Sequence, residues 1–327
     1  MHTFLLSRRS LLAVAAAAAL LPQLSWAQPG GERITIVAPF PPGGPVDTLS
    51  RMLADGLAKR YNKPAVVENL PGAAGNIGID KVKRAKPDGT TLLVIPAGNL
   101  TINPTLMANF PFNIDKDFAP ITMLAKTPNV LVAAPGAKLR NVKELVEQAK
   151  AKPNTLSYAS PGVGSGLHLA GELFKQQAGI DILHVPYKGT APALNDVLGG
   201  TVPLMFTNLP AALGFIKSGK LVALGITDDV RDKTVAPEIP TLKEQGIPGV
   251  VVTSWYGVLA PAGTPPELVA RLASDAAEIL SQPAVREQLH AQGLQEVAQK
   301  PAEFAAHIKA ETATWARIIK ARNIQAE

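Results

Sequence analysis

Ile34-Thr35-Ile36-Val37-Ala38 runs straight into Pro39-Phe40-Pro41-Pro42-Gly43-Gly44. Pro45-Val46-Asp47 then opens a stretch with Leu49, Met52, Leu53 and Leu57 at helical spacing. The short apolar run reads as a buried strand, the proline–glycine run ends it, and the i, i+3, i+4 spacing reads as an amphipathic helix. A buried strand that stops at a glycine loop and feeds a helix is the repeating unit of an α/β fold with a parallel sheet. The loop lies at the strand's carboxyl end, which is where such sheets bind ligands.

The same unit recurs outward from this point. Val66-Val67 begins a strand broken by Pro71-Gly72-Ala73-Ala74-Gly75, and Thr91-Leu92-Leu93-Val94-Ile95 stops at Pro96-Ala97-Gly98-Asn99. Asn141 and Glu144 have the spacing of a capping box. Leu156-Ser157-Tyr158-Ala159 reads as a strand ending in Ser160-Pro161-Gly162-Val163-Gly164-Ser165-Gly166, with a helix from Leu167 to Ala178 behind it. Ile182–Val185 and Leu221–Ile226 read as further strands. Thr264 and Glu267 flank Pro265 at another helix start, and a last helix aligns Phe304, Ile308, Trp315 and Ile319. Two extended segments, Ile121–Ala134 and Val250–Ala260, fit no single compact domain and are read as crossings between two lobes. The expectation is an α/β protein with two mainly parallel sheets joined by two crossover segments. Residues 28–128 and 254–327 are assigned to one lobe and 129–253 to the other. A double crossing makes a hinge and a closable cleft.

The N-terminus reads as an export signal. Arg8 and Arg9 precede the apolar run Leu11–Leu21, Pro22 breaks it, and Ser25-Trp26-Ala27 supplies small residues for cleavage. That run is too short for a membrane anchor. Ser7-Arg8-Arg9-Ser10-Leu11-Leu12 also fits a twin-arginine signal, which leaves two export routes open. There is no cysteine, hence no disulfide and no lipid-modified residue at the cleavage site. The expected mature protein begins at Gln28 and is free in the periplasm. The formal net charge is +6. Losing Arg8 and Arg9 leaves about +4, mildly favourable to small anions. The basic residues are scattered, so no nucleic-acid partner is expected.

Three glycine-rich loops precede helices: Pro42–Asp47, Gly72–Gly78 and Gly162–Gly166. Glycines admit a ligand close to the backbone, and free N–H groups at a helix start favour an anion; the plainer reading is tight turns. Gly72–Gly78 is spaced G-x-x-G-x-x-G and Gly162–Gly166 is spaced G-x-G-x-G, so neither is a dinucleotide fingerprint, and no P-loop exists. Ser165 lacks the G-x-S-x-G elbow because Val163 and Leu167 hold the outer positions. His168, one turn on, is either a packed, hydrogen-bonded histidine or a donor to ligand or base. His184, His290 and His307 are dispersed, and neither a metal site nor a cofactor is expected. Asp47 stabilises its helix start or touches ligand. Lys188 in Tyr187-Lys188-Gly189 is a solvated side chain or a positive rim.

In combination and order, several stretches resemble the Bug-type substrate-binding proteins of tripartite tricarboxylate transporters. They are Pro39–Asp47, Val67–Gly78, Pro87-Asp88-Gly89-Thr90, Ser160–Glu172 and His184–Gly189, closed by Trp255-Tyr256-Gly257 and Ala260–Pro265. The resemblance implies a two-lobed, Venus-flytrap periplasmic binding protein of type II-like architecture, without catalysis. Its ligand would be a small carboxylate (an amino acid, a di- or tricarboxylate, or an aromatic acid) held by backbone amides. By position this points to Phe40, Pro42, Gly43, Gly44 and Asp47, then Gly72, Ala73, Ala74 and Gly75. On the second lobe it points to Ser160, Gly162, Gly164, Ser165 and Gly166; Ala97, Asn99, His168 and Asn208 complete the candidate set. Leu70 stands where the family usually has a basic residue, and Ala74 replaces a common glycine. The implied partner is a membrane permease, and the expected state is a monomer. Two other readings stay open: a ligand sensor for a signalling partner, and a carboxylate-processing enzyme using Ser165 and His168.

Overall fold

The computed structural model describes residues 29–232, 236–321 and 324, so the export signal read at residues 1–27 lies outside the described residues. β1 (Ile34–Ala38), β2 (Ala65–Asn69) and β3 (Thr91–Pro96) run parallel, connected through α1 (Pro45–Tyr61) and α2 (Asn76–Lys83). Three short helices follow, α3 (Ala97–Thr101), α4 (Asn103–Leu106) and α5 (Ile114–Asp117), before the long β4 (Phe118–Thr127). β5 (Asn129–Ala133) is separated from β4 by Pro128 alone but belongs to a different sheet. That second sheet is completed through α6 (Val142–Ala151), β6 (Ser157–Ser160), α7 (Gly166–Ala178), β7 (Leu183–Pro186), α8 (Thr190–Leu198), β8 (Leu204–Asn208), α9 (Leu209–Lys217) and β9 (Val222–Ile226). β10 (Ser254–Pro261) returns to the first sheet, followed by α10 (Pro266–Ser281), α11 (Pro283–Ala291), β11 (Gln295–Glu296) and α12 (Pro301–Ala321).

The strand orders are β11-β4-β10-β3-β1-β2 and β7-β6-β8-β5-β9. Both sheets are mixed. Strands joined through helices pair parallel, as in β2-β1-β3 and β7-β6-β8. The segments that travel between sheets enter antiparallel: β10 against β3 and β4, and β5 against β8 and β9. A chain that leaves one sheet to join the next and then comes back has to run against the strands beside it.

Alternation along β1 sorts the first core. Ile34, Ile36 and Ala38 face Leu49, Leu53 and Leu57 of α1 and Leu272, Ala276 and Ile279 of α10. Val37 faces the other way, with Ile79, Val82, Leu93 and Ile95. The second sheet repeats the plan, with Leu131, Tyr158 and Phe206 on one face and Val130, Ala159 and Met205 on the other. Burying side chains of this size stabilises by roughly 2 kcal/mol each, and each sheet gathers them on both of its faces.

Two helical pieces span both cores. Leu100 of α3 belongs to the first, while Ile102 and Leu106 belong to the second. Along α12, Phe304 and Ile308 fill the first core and Trp315 and Ile319 fill the second. Glu311 sits between those pairs and accepts from Trp255 Nε1 of β10 at 2.6 Å and from Trp315 Nε1 at 3.0 Å. The lobes are therefore linked by more than the two crossing strands.

Candidate functional site

Strand ends and helix starts bring the glycine loops together. After β1, Gly43 donates its amide to Asp47 Oδ2 at 3.1 Å, one turn inside α1. Asp47 is buried, at 6% exposure, and also accepts from Arg51 and from Asn69 Nδ2 at 3.0 Å. Burial alone would raise this carboxyl's pKa. The Arg51 side chain, the Gly43 amide and Asn69 together outweigh that and hold it below its ordinary value. Asn69 additionally donates to the Phe40 carbonyl at 3.2 Å, tying the loop to the end of β2.

The second loop is strained. Gly72, Ala73, Ala74 and Gly75 all have positive φ, at 129°, 47°, 55° and 94°. Two alanines in the left-handed region cost about 1 kcal/mol each, and such strain concentrates at ligand clamps. Asn99 Nδ2 donates to the Ala74 carbonyl at 2.7 Å. A methyl group on Gly75 would lie 3.2 Å from Asn99 Nδ2 and 3.5 Å from the Phe40 ring. Phe40, Ala74, Gly75 and Asn99 thus form one cluster, with Ala97 buried at the start of α3 beside it.

On the second lobe, Ser165 is the N-cap of α7; its Oγ accepts from the His168 amide at 3.1 Å and donates to the Gly162 carbonyl at 2.7 Å. Ser160 Oγ accepts from the Gly162 amide at 3.2 Å, and His168 Nδ1 accepts from the Gly164 amide at 3.3 Å. His168 is buried and stacks on His184 with ring centroids 4.2 Å apart. Burial, then the nearby Lys175 charge, lowers His168 to about 4. Burial, followed by His168, lowers His184 to about 3. Both rings are neutral at pH 7.

The two halves meet at the back of this arrangement. A methyl group on Gly98 of α3 would lie 2.7 Å from the Gly164 carbonyl and 3.5 Å from the Gly166 amide nitrogen. One on Gly164 would collide with Asn103 Oδ1 of α4. The amides of Gly44, Ala73, Ala74, Val163 and Gly166 donate to no acceptor among the described residues. The Gly43, Gly162 and Gly164 amides are already engaged inside their own loops. An anion presented here would meet unpaired amides at the starts of α1 and α7, where helix dipoles favour negative charge.

The remaining candidates divide. Pro42 is exposed on the first loop. Asn208, at the end of β8, donates to Asn129 Oδ1 at 2.8 Å and receives the Tyr256 hydroxyl at 3.4 Å. It therefore belongs to a cluster at the lobe crossings, where Asn129 Oδ1 also accepts from Ser254 Oγ at 2.8 Å. Sequence reasoning missed Asn69, Gly98, Asn103 and Asn129. Asn69 ends β2 two residues before Pro71 and Asn129 opens β5 just after Pro128, which is the kind of signal that marked the other loop residues. Ser165 Oγ is committed to a carbonyl and an amide, and His168 Nδ1 to Gly164. Among the described residues no cluster of three or more His, Cys, Asp or Glu could hold a metal, and no helix is long and apolar enough to cross a membrane.

Comparison with known proteins matches residues 49–324 to the tripartite tricarboxylate transporter family receptor profile. The chain is 38% identical over 288 residues to protein BugT of Bordetella pertussis, covering 88% of each. It is similar to a solved R. palustris protein with adipate, at 33% identity and a TM-score of 0.84, covering 90% of this chain and 98% of that one. It is also similar to MatC from Rhodopseudomonas palustris with bound malate, at 31% identity and a TM-score of 0.82, covering 88% and 99%.

Proposed function

Since the chain belongs to the tripartite tricarboxylate transporter receptor family, we propose that it captures a small carboxylate between its lobes in the periplasm and delivers it to a membrane permease. Members of this family and the solved relatives are solute-binding proteins and not enzymes. The observation that carries the reading is the pair of helix starts, at Gly44 and Gly166, each with unpaired amides and each following a parallel strand. Relatives solved with adipate and malate support a di-acid or a similarly small carboxylate.

On this reading residues 28–128 with 254–327, and residues 129–253, are the two lobes, and the hinge lies at the Asn129–Asn208–Ser254 cluster. Ligand held by the first loops recruits the α7 amides, so it favours the closed form by its differential contacts. The released export signal leaves a soluble receptor that needs no cofactor.

The test is native mass spectrometry of the purified protein, followed by thermal unfolding against C4 to C8 dicarboxylic, hydroxy and aromatic acids. The expected result is one acid class that raises the melting temperature with concentration. Occupancy at a hundredfold excess over Kd stabilises by about 2.7 kcal/mol. No protection by any carboxylate would overturn the proposal.

A further inference from the structure

Behind the Ser160–Gly166 loop lies a three-ring stack that carboxylate binding by free amides does not by itself require. His184 lies between His168, at 4.2 Å between centroids, and Tyr158, at 4.9 Å. Its Nε2 is 2.7 Å from Ser160 Oγ, and its Nδ1 is buried with no hydrogen-bond partner among the described residues. A buried N–H without an acceptor is costly, so the proton sits on Nε2 and points at Ser160. Ser160 Oγ then receives both His184 and the Gly162 amide. His168 must present an unprotonated Nδ1, because that atom accepts from the Gly164 amide. The titratable groups facing the pair are Tyr158 of β6, whose hydroxyl donates to Glu172 at 2.8 Å, and the Glu172–Lys175 ion pair of α7.

We propose that the stacked His168–His184 pair is the positioning element of the Ser160–Gly166 loop. Its neutral rings hold the Gly164 amide directly, and the Gly162 amide through Ser160, inside the loop. That leaves the Val163 and Gly166 amides for the carboxylate. A proton on either ring breaks this arrangement: on His168 it displaces the Gly164 bond, and on His184 it creates a buried N–H with no acceptor. Ligand affinity is therefore acid-sensitive through the loop. Both the grip and its release rest on the receptor reading above, whereas the amide arrangement is independent of any ligand.

The experiment is a pH titration of the ¹⁵N-labelled full-length mature protein by NMR, with adipate binding measured by calorimetry on the same samples. Wild type should show neutral rings from pH 8 to about 5, with Nδ1 of His168 unprotonated. The Gly164 amide should then shift in step with His168 on further acidification. His168→Asn keeps an acceptor on the same branch atom but cannot titrate. It should hold the Gly164 amide shift constant across the titration and bind more tightly at neutral pH than His168→Leu. His168→Leu should lose affinity at every pH, on the order of tenfold or more. Between pH 7 and 4.5, wild type should lose more affinity than His168→Asn; comparing the two cancels the protonation of adipate itself. Rings that titrate near their ordinary value, or a Gly164 amide indifferent to His168, would overturn the positioning role. If adipate binds no form at any pH, adipate is not this receptor's acid, and the amide titration still decides the loop.

Discussion

The loop after β1 and the loop after β6 share a plan, strand to glycine run to helix start, but opposite chemistry holds them in shape. In each, a glycine amide donates to the side chain four residues on: Gly43 to Asp47, and Gly164 to His168. The first anchor is a carboxylate, kept ionised by Arg51, Gly43 and Asn69. The second is a neutral imidazole, kept unprotonated by burial. An anionic anchor beside an anion site needs its charge answered locally, and Arg51 does that. A neutral anchor adds no charge to the site but depends on staying dry. The same backbone geometry can thus be made robust to acid or sensitive to it by one residue.

The largest expected effect sets glycine against glycine. Gly164→Ala meets both a φ of +77° and a collision with Asn103, whereas Gly43→Ala has a φ of +92° and no atom within 4 Å. The first should destabilise by about 3–4 kcal/mol and the second by about 1 kcal/mol. Denaturant unfolding of the two variants reads the difference directly, and equal costs would break the comparison.

Acid comes next. The folded rings of His168 and His184 lie below their ordinary 6.5, so the unfolded chain takes up more protons as pH falls. Stability is complete above pH 6.5 and declines toward about 4, with His168 alone accounting for roughly 3 kcal/mol. Asp47 lies below 3.8, so its contribution persists through that window and is lost only at lower pH. Melting curves from pH 7.5 to 4 should fall for wild type and fall less for His168→Asn.

Asp47→Asn should cost about 2 kcal/mol, because a charge-assisted anchor becomes a neutral one and Arg51 loses its partner. The smallest effect is Arg51→Ala. Its side chain is 56% exposed and solvent screens its pair with Asp47, so the melting temperature should hardly move. Carboxylate affinity should nevertheless weaken, since the Asp47 charge is then unanswered. Calorimetry on this variant beside its melting curve separates the two consequences.

Much of the architecture was legible because it rests on local pattern. Ile34–Ala38, its glycine loop and the Leu49–Leu57 face are all strongly periodic, and Asn141 does cap its helix by accepting from the Glu144 amide at 2.9 Å. Thr264 was less legible: its hydroxyl donates to the Pro261 carbonyl at 2.8 Å, and Pro265 occupies the cap. Strand direction in β5 and β10 was hidden as well, because an apolar run looks the same whichever way its neighbours point. Within the candidate loops, composition marked the glycines but not which amides are spent. Gly162 and Gly164 look like donors in sequence and are tied inward in space, a fact that depends on His168 and Ser160 lying on different elements. Gly98 and Asn103 matter only because another lobe's loop rests on them, and no local pattern reports that.

The last helix has a consequence for how the molecule is made. Phe304 and Ile308 complete one core while Trp315 and Ile319 complete the other. Neither half can close around its full complement of side chains until the chain has been synthesised as far as Ile319. A nascent chain that emerges residue by residue would hold two unfinished halves at once and finish them together. The expectation is a late, joint completion of the two lobes rather than one after another, and removal of the residues beyond Glu311 should cost the order of the distant lobe as well as the helix itself.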